Sequence, residues 1–114
     1  MTRATTPFLI AAAAALSLTT PPEAAAQDAA KGEGVYNAQK CSVCHAVAGK
    51  GNKANPLDGV GAKLSADDIR GWIVDPVAMT AKTGSQKKPP MPKKWATLPA
   101  AELDALVAYM QSLK

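Results

Sequence analysis

The chain has 114 residues, 47% of them hydrophobic but only 4% aromatic, and a formal net charge of +4 at pH 7. This length limits it to one domain, and so few aromatic side chains give a marginal core unless a disulfide, a metal or a large apolar cofactor adds to it. The basic charge is mild and basic residues are not interleaved with aromatic ones, which argues against a nucleic-acid partner.

Residues 1–26 have the layout of a secretory signal peptide. Arg3 supplies a positive start, residues 8–18 form an apolar run, and three alanines at 24–26 suit a cleavage site. The apolar run is shorter than the roughly 20 residues that a membrane-spanning helix needs, so no stable membrane insertion is expected. We therefore predict export to the periplasm, cleavage after Ala26 and a mature domain over residues 27–114.

One helix and one loop are predicted in the first half of this domain. Asp28 is a suitable N-cap for a helix from about Ala29 to Lys40. Residues 46–61 are rich in glycine and asparagine and contain a proline, which is typical of a loop.

Two short helices are predicted to follow that loop. Ser65 to Asp68 has the spacing of a capping box and opens a helix that continues through Val74. The helix ends at Asp75-Pro76, because the residue before a proline disfavours the helical conformation. Proline is well tolerated at the first position of a helix, so the next one is predicted over about 76–82.

The C-terminal part is predicted to contain an irregular segment and then the clearest helix. Residues 83–94 read TGSQKKPPMPKK, and three prolines restrict the backbone around Met91. A helix over about 99–113 has an apolar stripe on one face. No strand-like alternation and no internal repeat is seen, so the sequence predicts an all-α fold with a few short helices and long loops.

Both cysteines and the only histidine fall within five positions, as Cys41, Cys44 and His45. A disulfide across two residues would stabilise little, a thioredoxin-like pair would need strands, and a zinc site would need a carboxylate as its fourth ligand. The spacing C-x-x-C-H is the attachment signature of haem c. We predict that both thiols bind one haem covalently, that His45 binds its iron, and that this apolar disc completes the core.

Four stretches, CSVCH, NPLDGVG, PPMP and ELDALVAYMQSLK, resemble the small bacterial class I c-type cytochromes. The resemblance spans nearly all of residues 29–114 and implies a compact helical fold around one haem. It also implies that the first and last helices cross near Gly32 and Tyr36. Their expected partners are Leu106, Tyr109 and Met110.

The second axial ligand of the iron is predicted to be Met91. Methionine is the usual partner of histidine in cytochromes c, and a proline-restricted loop holds a side chain at a low entropic cost. The resemblance also places the ligand methionine in such a loop. Met79, on a predicted helix, and an open iron site remain alternatives, whereas Met110 belongs to the apolar stripe.

Two further haem contacts are predicted from the resemblance. The backbone carbonyl of Pro56 is expected to accept the hydrogen bond from His45 Nδ1–H. Trp72, rather than Trp95, is expected to reach a haem propionate. A plain turn proline and tryptophans that only cover the haem are the structural alternatives.

Five lysines are clustered in the segment that contains Met91, which suggests a docking surface for redox proteins with an acidic surface. A solvated loop is the alternative. They are Lys82, Lys87, Lys88, Lys93 and Lys94.

Two functions fit these features best. The first is a periplasmic single-electron carrier with His/Met ligation, and the alternative is a cytochrome subunit bound to an exported dehydrogenase or oxidase. A gas-binding or peroxidase-like haem is less favoured, because it needs an open iron site. The chain has no second histidine for acid–base chemistry, so it is not predicted to be an enzyme.

Overall fold

The structure is a computed structural model that describes residues 22–114. Most of the predicted signal peptide, residues 1–21, lies outside the described residues, so export and cleavage stay predictions. Within the described part, no helix combines the length and the apolar character needed to cross a membrane.

The described part of the chain is mostly helical, which confirms the predicted all-α fold. Two short 3-10 helices, Cys41–Val43 and Lys93–Thr97, and one two-stranded hairpin complete it. The α-helices are α1 (Pro22–Ala38), α2 (Val60–Lys63), α3 (Ala66–Val74), α4 (Pro76–Thr83) and α5 (Ala100–Ser112), and the strands are β1 (Ala46–Val47) and β2 (Lys50–Gly51).

The start of α1 differs from the prediction. The helix begins at Pro22 and not at Ala29, so Asp28 lies inside it and is not its N-cap. Alanine has the highest helix propensity and proline fits the first helical turn, which explains why residues 22–28 join the helix. The helix ends at Ala38 instead of Lys40, because Lys40 adopts a left-handed conformation with φ of 56°.

The ends of the helices after residue 64 agree well with the prediction, because they are set by capping residues close to each end in sequence. The Ser65 hydroxyl accepts a hydrogen bond from the Asp68 backbone N–H at 3.1 Å and begins α3. Asp75 accepts one from the Ala78 N–H at 3.2 Å and begins α4. Gly84, with φ of 68°, ends α4.

The predicted loop at 46–61 contains regular structure that the sequence did not reveal. β1 and β2 form an antiparallel hairpin in which Ala46 faces Gly51. Its two central residues, Ala48 and Gly49, both have positive φ, at 52° and 77°. Such turns usually carry asparagine or aspartate at the first central position. Because alanine stands there, the sequence does not indicate a hairpin turn. The Ala48 N–H donates to the Asp58 carboxylate at 2.8 Å and holds the turn.

The crossing of α1 and α5 forms the centre of the core. A Cβ on Gly32 would clash with the backbone carbonyl of Ala105 and lie 2.6 Å from Tyr109 Cβ, so the predicted close approach at Gly32 is confirmed. Of the residues expected to pack against Gly32, Tyr109 is in direct contact with it. The residue nearest to Gly32 is Ala105, which was not among the expected partners. The rings of Tyr36 and Tyr109, the tyrosine pair, meet edge to face with centroids 5.6 Å apart.

Candidate functional site

One cavity of about 510 Å³ brings most of the predicted site residues together. Its volume lies within the range of pockets that hold organic cofactors. α2, α3 and α5 supply apolar walls, including Val60, Ile69, Ile73 and Leu106. The predicted site residues that line the cavity are Cys41, Cys44, His45, Trp72 and Met91.

Residues 41–45, the attachment segment, form one edge of the cavity. A 3-10 turn compacts the segment, since the N–H groups of Cys44 and His45 both donate to the Cys41 carbonyl, at 3.1 and 3.0 Å. No disulfide joins Cys41 to Cys44, and Cys41 is half-buried whereas Cys44 is exposed. Burial raises the pKa of the Cys41 thiol, and the positive charge of Lys94 opposes this shift.

The His45 ring is oriented by a hydrogen bond from its Nδ1 to the backbone carbonyl of Asn55, at 3.1 Å. A carbonyl can only accept, so Nδ1 carries the proton and Nε2 keeps its lone pair for a metal. Such a bond also increases the basicity of the ligating nitrogen. The ring is therefore in the tautomer that a metal ligand requires.

The acceptor was predicted to be Pro56, and this prediction is wrong by one residue. Residues 55–57 form a parallel bridge with Ala46, in which the Ala46 N–H donates to the Asn55 carbonyl at 3.3 Å and the Leu57 N–H donates to the Ala46 carbonyl at 2.8 Å. In this parallel pairing the Asn55 carbonyl and the Leu57 N–H face Ala46, and the carbonyl of Pro56 points away from Ala46. Pro56 is exposed and does not line the cavity.

The methionines differ in their relation to the cavity. Met91 is half-buried, lines the cavity and packs against the core cluster. Met79 is buried on α4 with its Sδ against Gly71, and it does not line the cavity. Met110 lines the cavity from α5 as part of the buried apolar stripe. Of the two candidate ligands, only Met91 faces the same cavity as His45.

Residues 29–114 match a family model described as Cytochrome c. The chain belongs to the cytochrome c family. It matches no curated protein and no solved structure. Family membership implies a covalently bound haem c with its iron and electron transfer by that haem, and the two cysteines and the histidine of the attachment segment fit this cofactor.

A buried donor in this cytochrome also fits a cofactor in the cavity. The indole Nε1–H of Trp95 is buried, and it has no acceptor among the described residues. A buried donor without a partner costs about 1–3 kcal/mol, which a polar atom of a bound group would offset. Trp95 and Trp72 both line the cavity. Trp95 was not among the predicted site residues, because its sequence context gives no sign that its N–H is buried.

The five clustered lysines of the cytochrome differ in their contacts. Lys82 lies 3.0 Å from Asp68 and Lys93 lies 3.5 Å from Asp75, so both take part in ion pairs within the chain. Lys87 and Lys94 line the cavity, together with Lys40 from outside the cluster, whereas Lys88 is exposed and does not line it.

Lys40 was missed because it lies far from the other lysines in sequence, although it directly precedes Cys41. The Lys94 ammonium lies 4.7 Å from the centroid of the Trp95 ring, a cation–π contact that holds it at the cavity wall.

Proposed function

We propose that this cytochrome is an exported single-electron carrier of the periplasm, in which Cys41 and Cys44 hold the haem and His45 and Met91 bind its iron. When bound, the haem supplies one iron that alternates between the ferric and ferrous states. The observation that carries the proposal is the single cavity onto which both thiols, the oriented imidazole and Met91 converge.

The chain itself restricts the position of each proposed ligand. The Asn55 carbonyl fixes the ring of His45, and prolines on both sides of Met91 restrict the loop that carries it. Ligands that keep their place in both redox states lower the reorganisation that accompanies each electron. Ligation by the thioether of Met91 together with the imidazole of His45 would favour the ferrous state and raise the reduction potential. An iron held by both side chains would offer no free position to a gas or a peroxide, which favours a carrier over a haem enzyme.

The lysines at the cavity mouth support docking to proteins with an acidic surface. Lys40, Lys87 and Lys94 are exposed residues that line the cavity, and Lys94 is close enough to Cys41 for its charge to act on that thiol. Lys88 is exposed in the same loop as Lys87. Charges around the opening of a redox site steer encounter and change the association rate more than the affinity.

A permanent place in an exported dehydrogenase or oxidase is the second candidate. A fixed partner would cover a contiguous apolar patch. In the described part of the chain the exposed large apolar side chains are Val43 and Val77, each 68% exposed and each on a different element, which favours the carrier. Purification under native conditions separates the two functions. A carrier elutes as a monomer, and a subunit elutes with a catalytic chain.

Spectroscopy of the purified protein tests the ligation directly. The ferric form is expected to show the weak far-red charge-transfer band of methionine bound to haem iron. Ferrous protein that binds carbon monoxide readily, with no such band in the ferric form, would refute methionine ligation and favour an open site.

A further inference from the structure

Three backbone carbonyls of the attachment segment are bound by one residue outside it, Asn52. Its backbone N–H lies 3.0 Å from the carbonyl of Ser42 and 3.0 Å from that of His45. Its side-chain Nδ2 donates to the carbonyl of Val43 at 3.2 Å. The preceding Gly51 has φ of 106°, and a Cβ there would clash with the His45 carbonyl. Only glycine therefore allows Asn52 to approach the segment so closely.

Asn52 also shapes the loop that leads to the partner of His45. Its Oδ1 accepts a hydrogen bond from the Ala54 N–H at 3.0 Å. Its backbone carbonyl accepts one from the Asn55 N–H at 3.4 Å. The Asn55 carbonyl then accepts the hydrogen bond of His45 Nδ1–H at 3.1 Å. One residue thus holds the segment that carries the imidazole and the loop that carries its acceptor.

We propose that Asn52 is a positioning residue that sets the strength of the His45–Asn55 hydrogen bond and, through it, the reduction potential. The proposal rests on the proposed role of His45 as an iron ligand. Donation from Nδ1–H increases the basicity of the opposite nitrogen and so stabilises ferric iron. Without the Asn52 side chain, the loop at 52–55 loses its ties to Val43 and Ala54. The bond to Asn55 then weakens, and the ferrous state is favoured.

The test compares Asn52→Ala with Asn37→Ala in the haem-loaded protein. Asn37 is an exposed asparagine near the end of α1 whose amide makes no hydrogen bond to the attachment segment or to the loop at 52–55 in the described part of the chain, so its replacement removes the same group without breaking those bonds. In Asn52→Ala, we expect the His45 Nδ1–H proton signal of the ferrous protein to exchange faster with solvent, and the reduction potential to rise. In Asn37→Ala, both readings should match the wild type.

A folded Asn52→Ala protein with the wild-type exchange rate and potential would overturn the proposal. If that variant fails to load haem, the same readings are made on Asn52→Ser. The serine hydroxyl can still accept from the Ala54 N–H but is too short to reach the Val43 carbonyl. The ligation itself is tested separately in the wild type, where ring protons of an iron-bound His45 carry the large shifts caused by the haem ring current. Their absence would refute the ligation and not the hydrogen-bond geometry.

Discussion

Replacement of Gly32 by alanine should destabilise the protein strongly, whereas the same change at Gly34 should stabilise it. Both glycines lie inside α1, so both variants gain the helix propensity of alanine, about 0.5–1 kcal/mol. At Gly34 the added methyl meets no atom within 4 Å. At Gly32 it would overlap the Ala105 carbonyl and approach Tyr109 Cβ to 2.6 Å.

The clash at Gly32 involves backbone, so no flexible side chain can move away to relieve it. α1 and α5 must separate, and overpacking of this kind costs about 1–3 kcal/mol. The helix-propensity gain is common to both variants and cancels, so their free energies of unfolding should differ by the overpacking cost, roughly 1–3 kcal/mol. For a domain of this size, each 1 kcal/mol corresponds to about 4–8 °C in Tm.

Urea unfolding of the haem-loaded proteins, followed by circular dichroism, measures this difference. The separation of α1 from α5 should also disturb the contact of the tyrosine pair, so the near-ultraviolet spectrum of Gly32→Ala should change. Equal unfolding midpoints for the two variants would refute the close crossing of α1 and α5.

Three further predictions concern the iron, the lysines and the tyrosine pair. Met91→Ala should abolish the far-red band and allow carbon monoxide to bind, whereas Met79→Ala should keep the band, because Met79 does not face the cavity. Lys87→Glu combined with Lys88→Glu should slow electron transfer to the natural partner at low salt, in stopped-flow measurements, and the visible spectrum should not change. Burial raises the pKa of both tyrosines above the usual 10. A raised folded-state pKa means that this contribution to stability is complete below the unfolded pKa and is lost as pH rises through the folded pKa, so ultraviolet titration of the folded protein should give a midpoint of tyrosine ionisation above pH 10.

Each of these predictions has a clear contrary result. Loss of the band in Met79→Ala, with the band kept in Met91→Ala, would assign the ligand to Met79. A reaction rate that does not depend on ionic strength would contradict steering by lysines and favour a fixed subunit, which has no encounter step. Charge reversal at Lys31 on α1 is a control, because Lys31 does not line the cavity. A midpoint of phenolate formation at or below pH 10 in the folded protein would contradict the burial of the tyrosine pair.

Local signals explain which parts of the fold could be predicted. The caps at Ser65 and Asp75 depend on residues within one helical turn, so the starts of α3 and α4 could be read from the sequence. The hairpin at 46–51 could not, because Ala48 adopts positive φ without the usual residue type. The bond that holds this turn comes from Asp58, ten positions away.

In the candidate site, too, features set by neighbouring residues could be predicted and features set by residues distant in sequence could not. The spacing of the attachment segment indicated its chemistry, because its two thiols and its imidazole form the C-x-x-C-H signature of haem c within five positions. The partner of His45 depends on the register of residues 55–57 against Ala46, which a proline in the sequence does not reveal. The contribution of Lys40 to the cavity mouth and the buried N–H of Trp95 are likewise products of packing.

The central claim is a haem bound covalently through both cysteines. Acid–acetone extraction of the purified protein, followed by mass spectrometry, tests it most directly. We expect the haem to stay on the polypeptide and the mass to exceed that of the processed chain by one haem. In Cys41→Ala combined with Cys44→Ala, the haem should be extracted. Haem that leaves the wild-type protein in the organic phase, with a chain of unmodified mass, would contradict the account.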